Sequence, residues 1–567
     1  MGKDFRASMT WLHTWAGLIV GWLLLFIFVT GTIGYFDAEI DRWMKPELPV
    51  PQPTAGHQQQ LQAISHGETW LNDNAPPAKT WRLFLPGTRE VPHFVVQWDT
   101  LPSETQPKVK REKRLIDPVT GERLSDPRDT GGGQLLYRMH YKLHYLPNIV
   151  ATILVGLCTV IMLLGLTTGV VAHRKLFKDF FTLRLFRQQR SWFDMHNILS
   201  VLALPFHFMI TYSGLAFFFL TLMPLIFFSI YQGNTNKALQ DTQIFAPFVA
   251  HQNQPTTMLP LSQFYQQTLA IRGDDTVVES MNIDNPNDAA ARVAVRIYTQ
   301  RLDNTEDLLF DGIHGEWLNP EPPPAMARFY RAFQGIHEGL FASIALRWLY
   351  FMSGLFGTGT IATGLIFWVQ KRRENHFRAH PKHTPPIPLN VRLIEKVNVA
   401  CIVGLPIAIA WYFCSNRLLP NDLIDRAHWE ANVLFIGWFL LVLHALLRPR
   451  LNAWKEQLWL AAGAYLLVPV INLFTTQRNL FTALIQQHQD PGMTTNMVVE
   501  LGRERGPDWA MIGFDLSMLV TSALFVLAAI LLTQHTSKPS QQRHQNTIEN
   551  TPENTPENAT QIPAESR

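Results

Sequence analysis

The chain alternates long apolar runs with polar stretches, and that pattern sets out most of the architecture. Runs of about 20 apolar residues, long enough to cross a bilayer as helices, lie near 14–36, 146–172, 197–229, 341–370, 396–415, 430–447, 456–474 and 511–533. They predict a mainly α fold, a polytopic membrane bundle of about eight helices. Two polar segments interrupt it, 37–135 and 233–330. The first carries short β-like runs at Trp81–Leu85 and His93–Trp98 and a turn at 117–121; the second carries Ala291–Tyr298, Leu308–Phe310 and a turn at 311–315. Each predicts a small α+β insertion between membrane helices. Residues 536–567 are rich in Ser, Gln, Pro and Asn and repeat Thr-Pro-Glu-Asn. Such a composition buries no core and predicts a disordered tail.

Part of this pattern occurs twice. Trp11-Leu12-His13-Thr14 opens the first apolar helix and Phe193-Asp194-Met195-His196-Asn197 the third, and Thr30-Gly31 and Ser213-Gly214 follow, each glycine eighteen residues after its histidine. Eighteen residues make five helical turns, so histidine and glycine share one face about 27 Å apart. Further on, Asp117 to Leu124 matches Asp311 to Leu318 as D-x-x-x-G-E-x-L, His144 matches His337, and Thr168-Gly169 matches Thr363-Gly364, at offsets of 183 to 195 residues. Two tandem units of one design therefore fill the chain to about residue 370. The expected divisions are a first membrane helix (1–36), an insertion (37–135), helices two and three with a basic loop (136–232), a second insertion (233–330), helix four (331–375) and an unrepeated four-helix module (392–535). In that module Glu395, Asn398, Glu430, Asn432 and His444 read as interface residues near helix ends.

Composition changes the picture in three ways. With 47% hydrophobic and 16% charged residues the chain is too apolar for an ordinary soluble protein, and a net charge of +3 argues against a nucleic-acid partner. Basic residues crowd 174–190, 371–392 and 448–455, so the positive-inside rule places these loops and both termini in the cytoplasm and the insertions outside. Lys3 and Arg6 precede the first helix without a small-x-small cleavage signal, so that helix is expected to be a retained anchor. The three cysteines, Cys158, Cys401 and Cys414, all lie in apolar helices, which excludes a disulfide framework, an iron–sulfur cluster and a C-x-x-C-H haem site.

Histidines inside membrane helices are expensive and point to function. Depth counting sets His13 and His196 about two turns from the cytoplasmic boundary and His144 and His337 roughly 43 and 51 Å from the cytoplasmic ends of their helices, at the outer surface. The expectation is one cross-repeat pair at each face. Facing imidazoles in a helical bundle are the ligand set of b-type haem held without covalent attachment. Gly31 and Gly214 fall near the outer level and Gly169 near the inner one, where a porphyrin plane would lie close to backbone. Gly364 counts to the opposite face and reads as helix packing. Other residues compete. His140 lies four residues before His144 on the same face, as an alternative ligand or propionate partner; His207 lies eleven after His196 on nearly the same face, as a second ligand; His173 opens a basic stretch. Arg347 is a candidate propionate partner, with snorkelling as its alternative. His13 and His196 also have a plain reading as interfacial residues bonded to headgroups.

Trp11-Leu12-His13-Thr14-Trp15-Ala16-Gly17-Leu18, Thr30-Gly31, Leu143-His144, the Asp-Pro-x-Thr-Gly-Glu turn, Asp194-Met195-His196-Asn197 and Gln334-Gly335-Ile336-His337-Glu338 together resemble the PepSY-associated transmembrane helix family, over residues 5 to about 375. The resemblance implies two bis-histidine b haems and PepSY-type periplasmic domains in the bacterial inner membrane. It also implies, as some members do, reduction of a ferric siderophore or other iron chelate. With no flavin or dinucleotide fingerprint in the chain, the electron donor is expected to be a separate cytoplasmic protein or a quinol. Two other classes stay open: a permease for iron chelates, and a PepSY-type sensor or assembly protein.

Overall fold

The computed structural model describes residues 3–537 apart from 50–55, 76, 102–108, 174–179, 181–183, 185–188, 219–221, 223, 235–236, 238–240, 242–248, 300, 303–304, 382–384 and 486–507. The tail after 537 and most of the basic loop at 174–190 lie outside the described residues. Among those described, seven helices are long and apolar enough to cross a membrane, and a bent pair makes an eighth span. The protein is a polytopic membrane bundle carrying a small antiparallel sheet domain.

The first repeat runs α1 (Lys3–Gly34), α2 (Asp37–Met44), α3 (His57–Asn74), β1 (Ala78–Phe84), β2 (Val95–Thr100), β3 (Arg111–Leu115), α4 (Gly132–Lys142) and α5 (Asn148–Ala172). The second follows as α6 (Gln189–Leu202), α7 (Leu204–Phe217), α8 (Pro224–Tyr231), α9 (Leu261–Arg272), β4 (Val277–Asp284), β5 (Arg292–Tyr298), β6 (Thr305–Asp311), α10 (Ala325–Glu338) and α11 (Ile344–Ala379). Three expected continuous helices are broken. Between α4 and α5 Leu143 takes a left-handed conformation, φ 46°, and Pro147 precedes the new helix. Gly339, at φ 66°, ends α10. The run beginning at His196 bends by 66° at Ala203, where Pro205 in the first turn of α7 has no N–H to continue the ladder.

The two insertions do not stand apart. Their strands form one six-stranded antiparallel sheet in the order β3-β2-β1-β4-β5-β6, joined through β1 and β4 with Arg82 opposite Asn282. Each hairpin closes with the repeated Asp turn. Asp117 Oδ1 accepts from the amides of Val119 and Thr120, Asp311 Oδ1 from those of Ile313 and His314, and Gly121 and Gly315 take φ near 75°. Those turns meet α3 at His66 and α9 at Gln263 and Gln267. Both helices contribute to the sheet's core, with Ile64, Leu71, Phe264 and Tyr265 fully buried alongside Leu83, Val293 and Val295.

The unrepeated module comprises α12 (Leu389–Val399), which continues through a π turn at Ala400–Gly404 into α13 (Leu405–Leu418), then α14 (Arg426–Leu447), α15 (Arg450–Thr475), α16 (Leu480–Ile485) and α17 (Trp509–Ser537). Polar residues buried in the helices dock it on the first repeat. Trp22 Nε1 donates to Asn398 at 2.8 Å and Trp43 Nε1 to Asp515 at 2.9 Å. Arg426 and Glu430, both 0% exposed, pair at 2.6 Å, and Glu430 accepts from Thr130 at 2.6 Å. Asn398 and Glu430 are thus buried anchors rather than interface residues, and Glu395, also buried, pairs instead with Arg373 of α11 at 3.2 Å.

Candidate functional site

Two pairs of imidazoles face one another inside the bundle, one ring from each repeat. His13 on α1 and His196 on α6 have ring centroids 6.3 Å apart. His140 on α4 and His337 on α10 have centroids 6.0 Å apart. Helix α1 fixes their separation, because His13 stands near one end and Gly31, against which His140 packs, stands five turns away, about 27 Å. The His140–His337 pair lies on the sheet side.

All four rings are seated by one rule. His13 Nδ1 donates to the carbonyl of Gly165 at 2.9 Å, His196 Nδ1 to that of Thr360 at 2.8 Å and His140 Nδ1 to that of Ile27 at 2.7 Å; His337 bonds the carbonyl of Ile210. Each acceptor lies one turn before a glycine of the neighbouring helix, respectively Gly169, Gly364, Gly31 and Gly214. A methyl group built on those glycines would come within 3.0, 3.1, 2.4 and 2.8 Å of the same four rings. The missing side chain is what lets an imidazole reach a helix carbonyl. The residue before each glycine, Thr168, Thr363, Thr30 or Ser213, returns its hydroxyl to its own helix, and Ser213 Oγ also lies 3.0 Å from His337 Nδ1, a bond the other three rings do not have. Tying Nδ1 to a carbonyl fixes the tautomer and presents Nε2 as the ligand atom, the outer-shell arrangement of metal-binding histidines.

The residues fit a haem iron. A metal–imidazole bond of about 2 Å, with about 1.1 Å from nitrogen to ring centre, puts two trans imidazoles about 6.2 Å apart centre to centre. Both pairs match. His13 with His196, and His140 with His337, would hold such an iron from the two repeats. At the sheet-side pair a cavity of about 580 Å³, within the range of cofactor sites, is lined by His140, His337, Gly31 and Gly214. Leu24, Ile27 and Val155 line it deeper in the bundle, with Tyr137, Gln334 and Glu338 at the sheet side. Burial pushes both imidazoles of this pair down, His337 to about 3 with His140 as the second cause. Both are neutral at neutral pH, as ligands must be.

Four expectations change. His144 does not face His337; it sits in the turn after α4, its ring parallel to Phe435 at 5.9 Å, and His140 takes the place assigned to it. Pro147 carried the signal in the sequence, because it ends the helix early and puts His144 outside it. Gly364 faces His196 rather than away from the histidines, because the count from His337 ran across the break at Gly339. All four glycines seat imidazole rings, which the sequence reading did not foresee. Arg347 is engaged within the protein, pairing with Glu39 at 3.3 Å beside Arg89. Of the remaining candidates, His207 is buried between the two levels, against Phe28 and with Nε2 at 3.3 Å from the Ser353 carbonyl, facing no second imidazole among the described residues. His173 follows α5 with its ring against Phe193.

Fold and site together define a duplicated helical membrane protein whose repeats meet through paired histidines below and a shared sheet above. The chain belongs to the family described as the PepSY-associated TM region, whose model matches residues 10–371. It is also similar to a Pseudomonas aeruginosa protein described as uncharacterized, 24% identical over 318 residues, or 52% of this chain and 76% of that one.

Proposed function

We propose that this protein carries electrons across the bacterial inner membrane and reduces a ferric chelate, a siderophore complex above all, on the periplasmic side. What carries the reading is the seat of the histidines, one rule met four times in two cross-repeat pairs. His13 with His196, and His140 with His337, would each hold one b-type haem. Haem so ligated supplies reversible one-electron chemistry. The chain's own residues hold each ring by a helix carbonyl and exclude water with the apolar walls of α1, α5 and α7. At the sheet-side pair, Tyr137 and Gln334 donate to Glu338 at 3.2 and 3.3 Å, a polar rim between the histidines and the sheet domain. A ferric chelate held under the sheet would release its metal on reduction, since hard oxygen ligands favour ferric over ferrous iron. The orientation, with both termini in the cytoplasm, follows from the basic loops, and the donor is a cytoplasmic protein or a quinol.

The test is anaerobic mixing of the chemically reduced, purified protein with a ferric trihydroxamate and a ferrous-specific chelator. The expected result is reoxidation of the protein with stoichiometric capture of ferrous iron. Protein that stays reduced in the presence of the chelate would overturn the reading.

A further inference from the structure

The chain holds a third imidazole pair outside the two levels described. His144, in the turn between α4 and α5, and His428, in the first turn of α14, have ring centroids 6.2 Å apart. That spacing falls between those of the other two pairs, 6.3 and 6.0 Å, and matches two imidazoles on opposite sides of one first-row metal ion, about 6.2 Å. The rings are differently placed, however. Both lie at the sheet-side end of the bundle where the first repeat meets the unrepeated module; His144 is partly exposed and His428 exposed. Neither is hydrogen-bonded through its ring to any described residue, whereas each of the four buried histidines is held by a helix carbonyl.

The backbone is bent to present them. Leu143, directly before His144, has φ 46°, and Asp425, three residues before His428, has φ 54°. Among the described residues the other positive-φ positions besides glycine are Asn or Gln. Leucine has no side-chain hydrogen bond to stabilise this conformation, so the surroundings impose it. Packing then fixes the imidazole: His144 lies parallel to Phe435 (5.9 Å, 10°) and edge-on to Tyr145 at 4.6 Å, while the Tyr145 hydroxyl donates to Asn432 Oδ1, one turn beyond His428 on α14.

We propose that His144 and His428 form a surface site for a divalent first-row transition ion, with water completing the coordination. Imidazole suits ferrous iron, nickel, copper and zinc, and two ligands with open positions give exchange rather than storage. The choice of ferrous iron as the physiological ion rests on the reductase reading. That reading puts the site on the product side, where reduced iron would leave its chelate; metal binding by the pair rests on the spacing of the two rings alone.

Equilibrium dialysis of the purified full chain against ferrous iron under anaerobic conditions, and in parallel against nickel, tests the proposal. Wild type is expected to bind one ion more per chain than His144→Gln or His428→Gln, with affinity at that site lowered at least about tenfold in either variant and the haem absorption unchanged. Equal occupancy in wild type and both variants would overturn the site, and so would loss of haem in His428→Gln. A chain that binds nickel at this pair yet carries no haem would refute the reductase reading and leave the site standing.

Discussion

A glycine on one helix sets the position of a histidine on another, and this relation is tested residue by residue. Gly31→Ala and Gly214→Ala would each push a methyl group into a ring of the sheet-side pair, and Gly169→Ala and Gly364→Ala into the other. At Gly31 and Gly214 the ring must leave its carbonyl, so cofactor retention at the sheet-side level should fall about 10- to 100-fold, whereas at Gly169 and Gly364, with 3.0 and 3.1 Å to the ring, it need give only slightly and the loss should be smaller; in each variant the opposite level keeps its spectrum. Equal loss at both levels would show unfolding instead. His93 offers a separate test away from the ligands. Burial, then the charges of Arg42, Lys45 and Arg478, pushes its imidazole down to about 4, and its buried Nε2 has no hydrogen-bond partner. The unfolded chain binds that proton near pH 6.5 and the folded one only near 4. Stability is therefore full above about 6.5 and declines as pH falls through that window, by on the order of 1–3 kcal/mol. His93→Gln should flatten this part of the pH profile of thermal unfolding.

At the scale of elements, the breaks between helices decide which histidines meet. Apolar runs and the repeated His–Gly spacing were readable because α1 is one unbroken helix, over which counting by 100° holds. Counting failed wherever a left-handed residue or a proline intervened, at Leu143 and Pro147, at Gly339 and at Pro205. The sequence showed the prolines but not that Leu143 is left-handed, since only packing imposes that conformation on leucine. The buried anchors of the unrepeated module were equally hidden, because a Glu near a helix end looks the same whether it meets water or Arg426. That pair yields its own prediction. Arg426→Met leaves the Glu430 charge buried without its cation and should destabilise the protein by about 3–5 kcal/mol, whereas the double change to two methionines should recover only part of it, because Arg426 also donates to the carbonyls of Pro420, Asp129 and Asn416. Thermal unfolding in detergent checks this; a single variant as stable as wild type would mean that the ion pair does not hold the module.

Across the whole molecule, the duplication produces a two-fold arrangement in which neither repeat is complete alone. Each supplies half of both histidine pairs and three strands of one sheet. The parallel orientation of the repeats was legible from matched motifs; the fusion of their sheets was not, since edge pairing of β1 with β4 leaves no pattern in either strand. The unrepeated helices dock on the first repeat through Trp22 and Trp43 and bring His428 to His144, so they add asymmetry on the sheet side. The central claim is that the two cross-repeat pairs are haem ligands. The measurement that tests it most directly is the reduced-minus-oxidised absorption spectrum of the purified chain, with haem quantified per polypeptide. The account predicts two b-type haems in wild type and in His144→Ala, and one in each of His13→Ala, His196→Ala, His140→Ala and His337→Ala. A chain without a Soret band, or His140→Ala retaining both haems, would contradict it.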